Sequence, residues 1–444
     1  LFRDIPAAFL PDDHDVYHGN IWGEGGKDAP ENPPPGTSAQ DQGGYTMSPE
    51  WVNMVQRAQT SHLPDPFDPR PVRQDINVYY TDWQYGGISF AILEDRKFKS
   101  APANVLPEKA DIVNGFIQNP DFDIKEYYDI DAQLLGERLI EFLRHWIRDW
   151  SNQIRMKVAL SQTNLCALAT LPAGSKTDSV VPNLEIPEPG EYVAGDEPVV
   201  DMDTNGWPPK QRDRILEILR KSFTFHIAGD QHLASVVQYG VDDFGDSNFA
   251  FTAPALNNIW PRRWWPPVDD EHTPLPGQPK YTGNFEDGFG NKMTVYAAAN
   301  PAETRREPEI IYNRATGYGL IEFNKQHRNI RIECWPRYVN PLTNPEGQYN
   351  GWPILIEQAE NYGREPIGYL PEIIVKGLNN PVVKIFDEAS DNLVYALRIQ
   401  GNSYTPPIYK DSRYKIRIGD PDLPKWREFT GVTPADKQPI RCRF

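Results

Sequence analysis

Apolar residues recurring every three and four positions mark the clearest helix. Leu135, Leu139, Phe142, Leu143, Trp146 and Trp150 fall on one stripe of residues 133–150, behind Asp131 as the expected cap. Such a stripe must be buried against another layer. Ser48-Pro49-Glu50 supplies a cap, a first-turn proline and an early acid, so a second helix is expected from about Pro49 to Gln59, and a third over Gln211–Arg220. Short apolar or alternating runs predict strands at Ile76–Trp83 and Ile88–Leu93, on either side of Gly86-Gly87, and at Met156–Ser161 and Phe223–Ala228. Residues 1–10 end in the apolar run Ala7–Leu10, which reads as a strand stopping in a polar loop. Helix followed by strand, twice, predicts an α/β fold with a buried sheet flanked by helices. From about Val339 the pattern changes to short alternating runs such as 381–386 and 393–397, with turns at Asn379-Asn380, Gly401-Asn402 and Gly419-Asp420. That change predicts two domains, an α/β domain over 1–338 and a C-terminal all-β sandwich domain over 339–444.

Composition narrows the partners. The 444 residues carry a formal charge of −17, the wrong sign for binding a phosphate backbone, and no uncharged apolar run reaches the roughly 20 residues that cross a bilayer. Aromatic residues make up 12%, and with 32 Gly and 43 Pro they describe a loop-rich chain with aromatic-lined clefts. Cys166, Cys334 and Cys442 are far apart and form no CxxC pair, so neither a zinc ribbon nor a disulfide scaffold is indicated. The chain opens at Leu1 without Met and without the features of a signal peptide, and is expected to start at a processed end or within a longer protein.

Three expected strands run into polar loops at their carboxyl ends: Leu10 into Asp12-Asp13-His14-Asp15, Ser161 into Gln162-Thr163-Asn164, and Ala228 into Gly229-Asp230-Gln231-His232. Ligands sit outside those ends in open α/β sheets, so the loops are candidates for one site. Asp13, Asp230 and His232 are oxygen and imidazole donors suited to Fe, Zn, Mn or Ca, and His14 beside them is a candidate proton donor. Asp201-Met202-Asp203-Thr204-Asn205-Gly206 fits the first half of a calcium loop, but Arg212 stands at position twelve and Pro208-Pro209 interrupt it. It therefore reads as a polar turn before the helix, with Asp203 and Asn205 kept as possible metal or substrate residues. Arg262-Arg263-Trp264-Trp265 is a candidate clamp for phosphate and an organic leaving group, and Arg96 a candidate substrate residue.

These motifs, together with Leu93-Glu94-Asp95-Arg96-Lys97, Leu160-Ser161-Gln162-Thr163 and Asn205-Gly206-Trp207-Pro208, resemble the PhoD-like alkaline phosphatases of the calcineurin-like metallophosphoesterase superfamily, including bacterial members. The resemblance covers most of residues 1–338. It implies a metallophosphoesterase-type β-sandwich flanked by helices and a periplasmic or extracellular hydrolase of phosphate monoesters or diesters. It implies a multinuclear centre, with Ca²⁺ and Fe³⁺ expected and Zn²⁺ or Mn²⁺ as alternatives. By position it makes His14 the catalytic acid and Asp13, Asp230 and His232 metal ligands, with Gln162 where the superfamily has a ligand His. The superfamily's two opening motifs, an Asp-bearing strand end and a Gly-Asp pair, have no counterpart before Asp12. Asp270-Glu271-His272 spells the opening Asp-x-His, but lies in a proline-rich loop far downstream. The chain is thus expected to carry half of a phosphatase site, completed by a separate N-terminal segment and acting poorly alone. The alternative is a non-catalytic secreted or cell-surface protein that binds or assembles with a degenerate metal site. A two-carboxylate glycosidase fits the composition but has no carboxylate pair at a defensible spacing.

Overall fold

Gly86 and Gly87 turn the chain on itself in a two-residue hairpin that brings Tyr85 opposite Ile88. Both have positive φ, +57° and +80°, which glycine adopts without a Cβ clash. The hairpin joins β1 (Thr81–Tyr85) to β2 (Ile88–Ile92) in a computed structural model that describes residues 5–35, 37–423 and 425–444. β3 (Met156–Leu160), β4 (Phe225–Ala228), β5 (Ser235–Tyr239), β6 (Phe249–Thr252), β7 (Gly283–Glu286) and β8 (Lys292–Ala298) complete an eight-stranded sheet in the order β1-β2-β3-β4-β6-β5-β8-β7. The pairs β2/β3, β3/β4 and β4/β6 are parallel, and the others antiparallel. Four neighbouring strands therefore present their carboxyl ends along one edge.

A parallel sheet must be covered on both faces. On one face lie α3 (Gly136–Trp146) and α4 (Pro209–Leu219), whose Leu139, Phe142, Leu143, Trp146, Ile215 and Leu219 join Ala159, Val237, Ala250 and Val295 in one core. On the other face lies an antiparallel sheet of β9 (Gly317–Asn324), β10 (Asn329–Pro336) and β11 (Ile354–Glu357). Its Ile330, Ile332, Cys334 and Ile356 pack on Val158, Phe225, Val236 and Phe251. The pairing of β11 with β10 carries a strand from beyond residue 338 into this layer. Further on, β12 (Val382–Asp387), β13 (Leu393–Arg398), β14 (Tyr414–Asp420) and β15 (Lys425–Val432) form a second antiparallel sheet. It packs on strands at 373–376, 403–404 and 440–443 around Ile373, Val375, Ile385, Tyr395, Ile416 and Cys442. Buried Arg398 ties this region to the loop after α3 by donating to the carbonyls of Trp150 (2.7 Å) and Ile154 (3.0 Å). The three cysteines are buried and free, and among the described residues no helix is long and apolar enough to cross a membrane.

Apart from the strand expected at 1–10, the expected helices and strands form, with shifted ends. α2 (Pro49–Thr60) begins where Ser48 Oγ accepts from Trp51 N. Asp131 does not cap α3: that helix starts at Gly136, and its stripe ends in turns that still bury Trp150. β1 starts five residues later than expected, because the backbone of 76–80 is engaged elsewhere. Tyr79 N donates to Glu94 Oε2 at 3.0 Å, and Tyr80 O accepts from Phe67 N. The expected strand at 1–10 is not formed by residues 5–10, and residues 1–4 lie outside the described residues. Ala7–Leu10 is a four-residue apolar run between Pro6 and Pro11, which lack the N–H a ladder needs, and it joins no sheet among the described residues.

The dependence of the helical layer on one buried stripe gives a direct test. Leu139→Ala removes a fully buried side chain and should cost about 2–5 kcal/mol. Met54→Ala on the exposed side of α2 should stay within about 0.5 kcal/mol. The shift in urea midpoint checks both.

Candidate metal centre

At the carboxyl edge, Asp95 in the loop after β2 gathers the loop after β3 and the turn before α4. Its Oδ1 accepts from Gln162 N (3.2 Å), and its Oδ2 from Thr163 N (3.1 Å) and Asn205 Nδ2 (2.6 Å). Gly229 N donates to Gln162 O at 2.9 Å, fastening the loop after β4 to the loop after β3. The next residue, Asp230, has φ +62° and His232 has φ +57°. Left-handed backbone costs a residue with a Cβ about 1–2 kcal/mol, so the loop holds both residues in strained conformations.

Asp12 and Asp13 approach from the other side, where the chain enters the single turn α1 (Asp13–Val16). Their carboxylates and that of Asp230 each offer an oxygen within 4.8 Å of the other two. Gln162 Nε2 reaches across, donating to Asp12 Oδ1 and, at 3.4 Å, to Asp13 Oδ1. Asp13 Oδ1 also accepts from His14 N at 2.9 Å, whereas Asp13 Oδ2 is buried and meets no donor.

Arg96, at the end of the loop after β2, is buried among these acids. Nη2 donates to Asp230 Oδ2 (3.1 Å) and Asp203 Oδ2 (3.0 Å), and Nη1 pairs with Asp203 Oδ1. Burial pushes the Asp12 carboxyl up to about 6, aided by the Asp230 charge and opposed by Arg96. Burial likewise holds Asp13 well above the ordinary carboxylate range. For Asp203 burial also acts upward, but Arg96 outweighs it and the net shift is downward. Lys99, whose Nζ donates to the carbonyls of Asp203 and Thr204 at 2.8 Å, is pulled down to about 7 by burial and by Arg96. The carboxylates of Asp12, Asp13, Asp203 and Asp230 outnumber the cations buried with them, Arg96 and Lys99. The donor set is all oxygen and hard, and one buried oxygen is unpartnered, so the residues fit a divalent cation.

The candidates from sequence fall in distinct places. Asp13, Asp230, Gln162, Arg96 and Asp203 share one network, and Asn205 joins it through Asp95. Arg262 reaches it through Gln231: Nη1 donates to Gln231 Oε1 (2.7 Å), while Gln231 Nε2 donates to Asp230 Oδ2 (2.9 Å). The Arg262 guanidinium also pairs with Asp201 Oδ2 (2.7 Å) and Asp178 Oδ2 (3.2 Å). His232 lies outside the carboxylate triad, its Nδ1 meeting Trp260 O at 3.1 Å, and burial and Arg262 keep its pKa low. His14 is exposed on α1. Asp201–Gly206 forms a polar turn before α4, with the Asp203 carboxylate spent on Arg96. His272 meets Thr282 O at 3.0 Å and lies against Phe285, at no carboxylate cluster among the described residues. Four residues that matter to the geometry were not singled out from sequence: Asp12, Asp95, Lys99 and Gln231. Asp12, Asp95 and Gln231 each stand beside a residue that was singled out, the one signal available for them.

No family model matches the chain, and no curated protein does. A solved structure titled "Structure of PhoD" aligns with 98% of this chain and 56% of its own, at 10% identity and a TM-score of 0.38. The chain thus spans little more than half the length of that protein. A likeness at this level assigns no activity, so the functional reading rests on the centre itself.

Proposed function

We propose that the chain carries the centre of a cation-dependent hydrolase of phosphoric esters. The observation that carries the reading is the Asp12, Asp13, Asp230 triad, within 4.8 Å, with Asp13 Oδ2 buried and unpartnered. A bound cation supplies charge neutralisation at a phosphoryl group. The triad would hold it, and hard oxygen donors favour Ca²⁺, Mn²⁺ or Fe³⁺ over softer ions. Gln162 orients the Asp12 and Asp13 carboxylates, and Asp95 braces the loops that bear Gln162 and Asn205. His14, exposed beside Asp13, is the proposed proton donor to the leaving oxygen. Arg262 positions Gln231 and adds positive potential beside Asp230. His232 would join as a further ligand by turning from Trp260. A second ion would need anionic ligands beyond this triad. A secreted setting is part of the same proposal.

One observation favours the alternative, a binding protein with a degenerate centre. Arg96 already neutralises Asp230 and Asp203 from within the cluster. A guanidinium there does part of what a cation would do.

Cation binding should show in stability. In the cation-free protein the raised Asp12 pKa means that the folded state holds the proton more tightly than the unfolded chain. Its contribution therefore falls as pH rises from about 4 through about 6. Mn²⁺ or Ca²⁺ should then raise the unfolding temperature at pH 7.5, with the gain fading as pH drops through about 6. Asp13→Asn should abolish the gain while raising stability in chelator, because it removes a buried charge. Calorimetry across pH checks this, and a cation gain retained in Asp13→Asn is the contrary result.

Hydrolysis supplies the second test. Bis-p-nitrophenyl phosphate and p-nitrophenyl phosphate should be cleaved slowly by residues 1–444 in the presence of Mn²⁺ or Ca²⁺. Asp230→Asn and His14→Ala should each lower kcat by about 10²-fold or more. Inactivity of the complete protein with every cation and both esters would leave the binding reading in its place.

A further inference from the structure

A cleft of about 890 Å³ lies away from the carboxylate triad. It opens at the same edge of the central sheet. Ala298 ends β8 opposite Ser235, and Ser235 lies opposite Thr252, the carboxyl end of β6. Three strand spacings separate β8 from β4, so the cleft sits about 14 Å along the edge from the Asp230 loop. Its walls are rings set at steep angles: Tyr192 against Trp265 at 5.1 Å and 69°, Trp265 against Tyr281 at 5.3 Å and 84°, and Tyr312 against Tyr338 at 5.4 Å and 84°.

The three acids of the lining are engaged already. Glu188 Oε2 pairs with Arg305 at 3.3 Å, Glu191 Oε2 accepts from Glu188 N, and Glu303 Oε2 accepts from Asn313 Nδ2 at 2.7 Å. The Arg306 guanidinium lies 4.4 Å over the Tyr338 ring. Glu188, Glu191 and Glu303 face Lys280 and Arg306, so the lining is close to neutral and its net charge selects neither an anion nor a cation. What it does offer is one unsatisfied donor. Trp265 is 6% exposed, and its indole Nε1–H is buried without an acceptor. A buried donor left unpaired costs about 1–3 kcal/mol, which a ligand oxygen would recover.

We infer that this cleft binds a neutral saccharide of two or three sugar units. Its ring faces would pack on the C–H faces of the sugars, and the Trp265 indole would donate to a hydroxyl or ring oxygen. Sugars combine apolar faces with a rim of hydroxyls, as the aromatic walls and scattered amides of this cleft require, and the volume falls in the range of small-molecule sites. The inference stands apart from the phosphoester reading, because no group of the carboxylate cluster takes part.

Maltose, cellobiose and N,N′-diacetylchitobiose, titrated to millimolar concentration in the presence of EDTA, test it by tryptophan fluorescence and saturation-transfer NMR. At least one should bind, with EDTA without effect. Trp265→Phe, which keeps a ring and removes the donor, should weaken binding about tenfold, the worth of one hydrogen bond. Tyr338→Ala, at a half-buried position on the opposite wall, should weaken it too. Binding by none of the three, binding untouched by both variants, loss of binding in EDTA, or saturation of the cleft by adenosine or inorganic phosphate instead would each overturn the assignment.

Discussion

Like charges repel most strongly where water cannot screen them, and Asp12, Asp13, Asp203 and Asp230 are brought together at the edge of a buried sheet. Arg96 makes that possible. Its two Nη atoms divide between Asp203 and Asp230, and so link the loop after β2 to the turn before α4 and to the loop after β4. Asp95, the residue before it, accepts from the loop after β3. Two adjacent residues thus tie the whole carboxyl edge together, one as a cation among acids and one as an acceptor among amides. The strained backbone of Asp230 and His232 is held against that fixed frame.

The same edge explains why two unlike pockets lie side by side. Parallel strands β2, β3, β4 and β6 end together and put polar loops over one stretch. The antiparallel β5 and β8 continue the edge with Ser235 and Ala298, and longer loops rich in Pro and Tyr rise over them. The change from parallel to antiparallel pairing is where charge gives way to aromatic surface.

Local signals carried through to the fold where they were self-contained. Ser48-Pro49 starts α2, Gly86-Gly87 makes a hairpin, and the stripe from Leu139 to Trp146 is buried. They misled where the decisive partner is remote. Ala7–Leu10 has the composition of a strand, yet it joins no sheet among the described residues, and nothing within ten residues says so. Asp131 resembles a cap, yet α3 begins at Gly136. At the centre, strand-end position drew attention to Asp13 and Asp230, because it depends only on nearby residues. That Gln162 spans 149 positions to reach Asp13, or that Arg96 spans 107 to reach Asp203, is written in no local pattern.

Those spans also set an order of events. The hairpin β1/β2 and the turns of α2 and α3 close over short loops and can form early, whereas β2/β3 and β3/β4 each wait for some seventy intervening residues to fold back. Parallel pairing over such separations is slow, because the entropy of closing the loop is lost before any contact repays it. Arg96 meets Asp203 and Asp230 only when all of these strands are in register. The Asp12-Asp13 pair, Asp203 and Asp230 are therefore solvated and far from one another while the scaffold assembles, and their repulsion is met last, by a framework already strong enough to bear it.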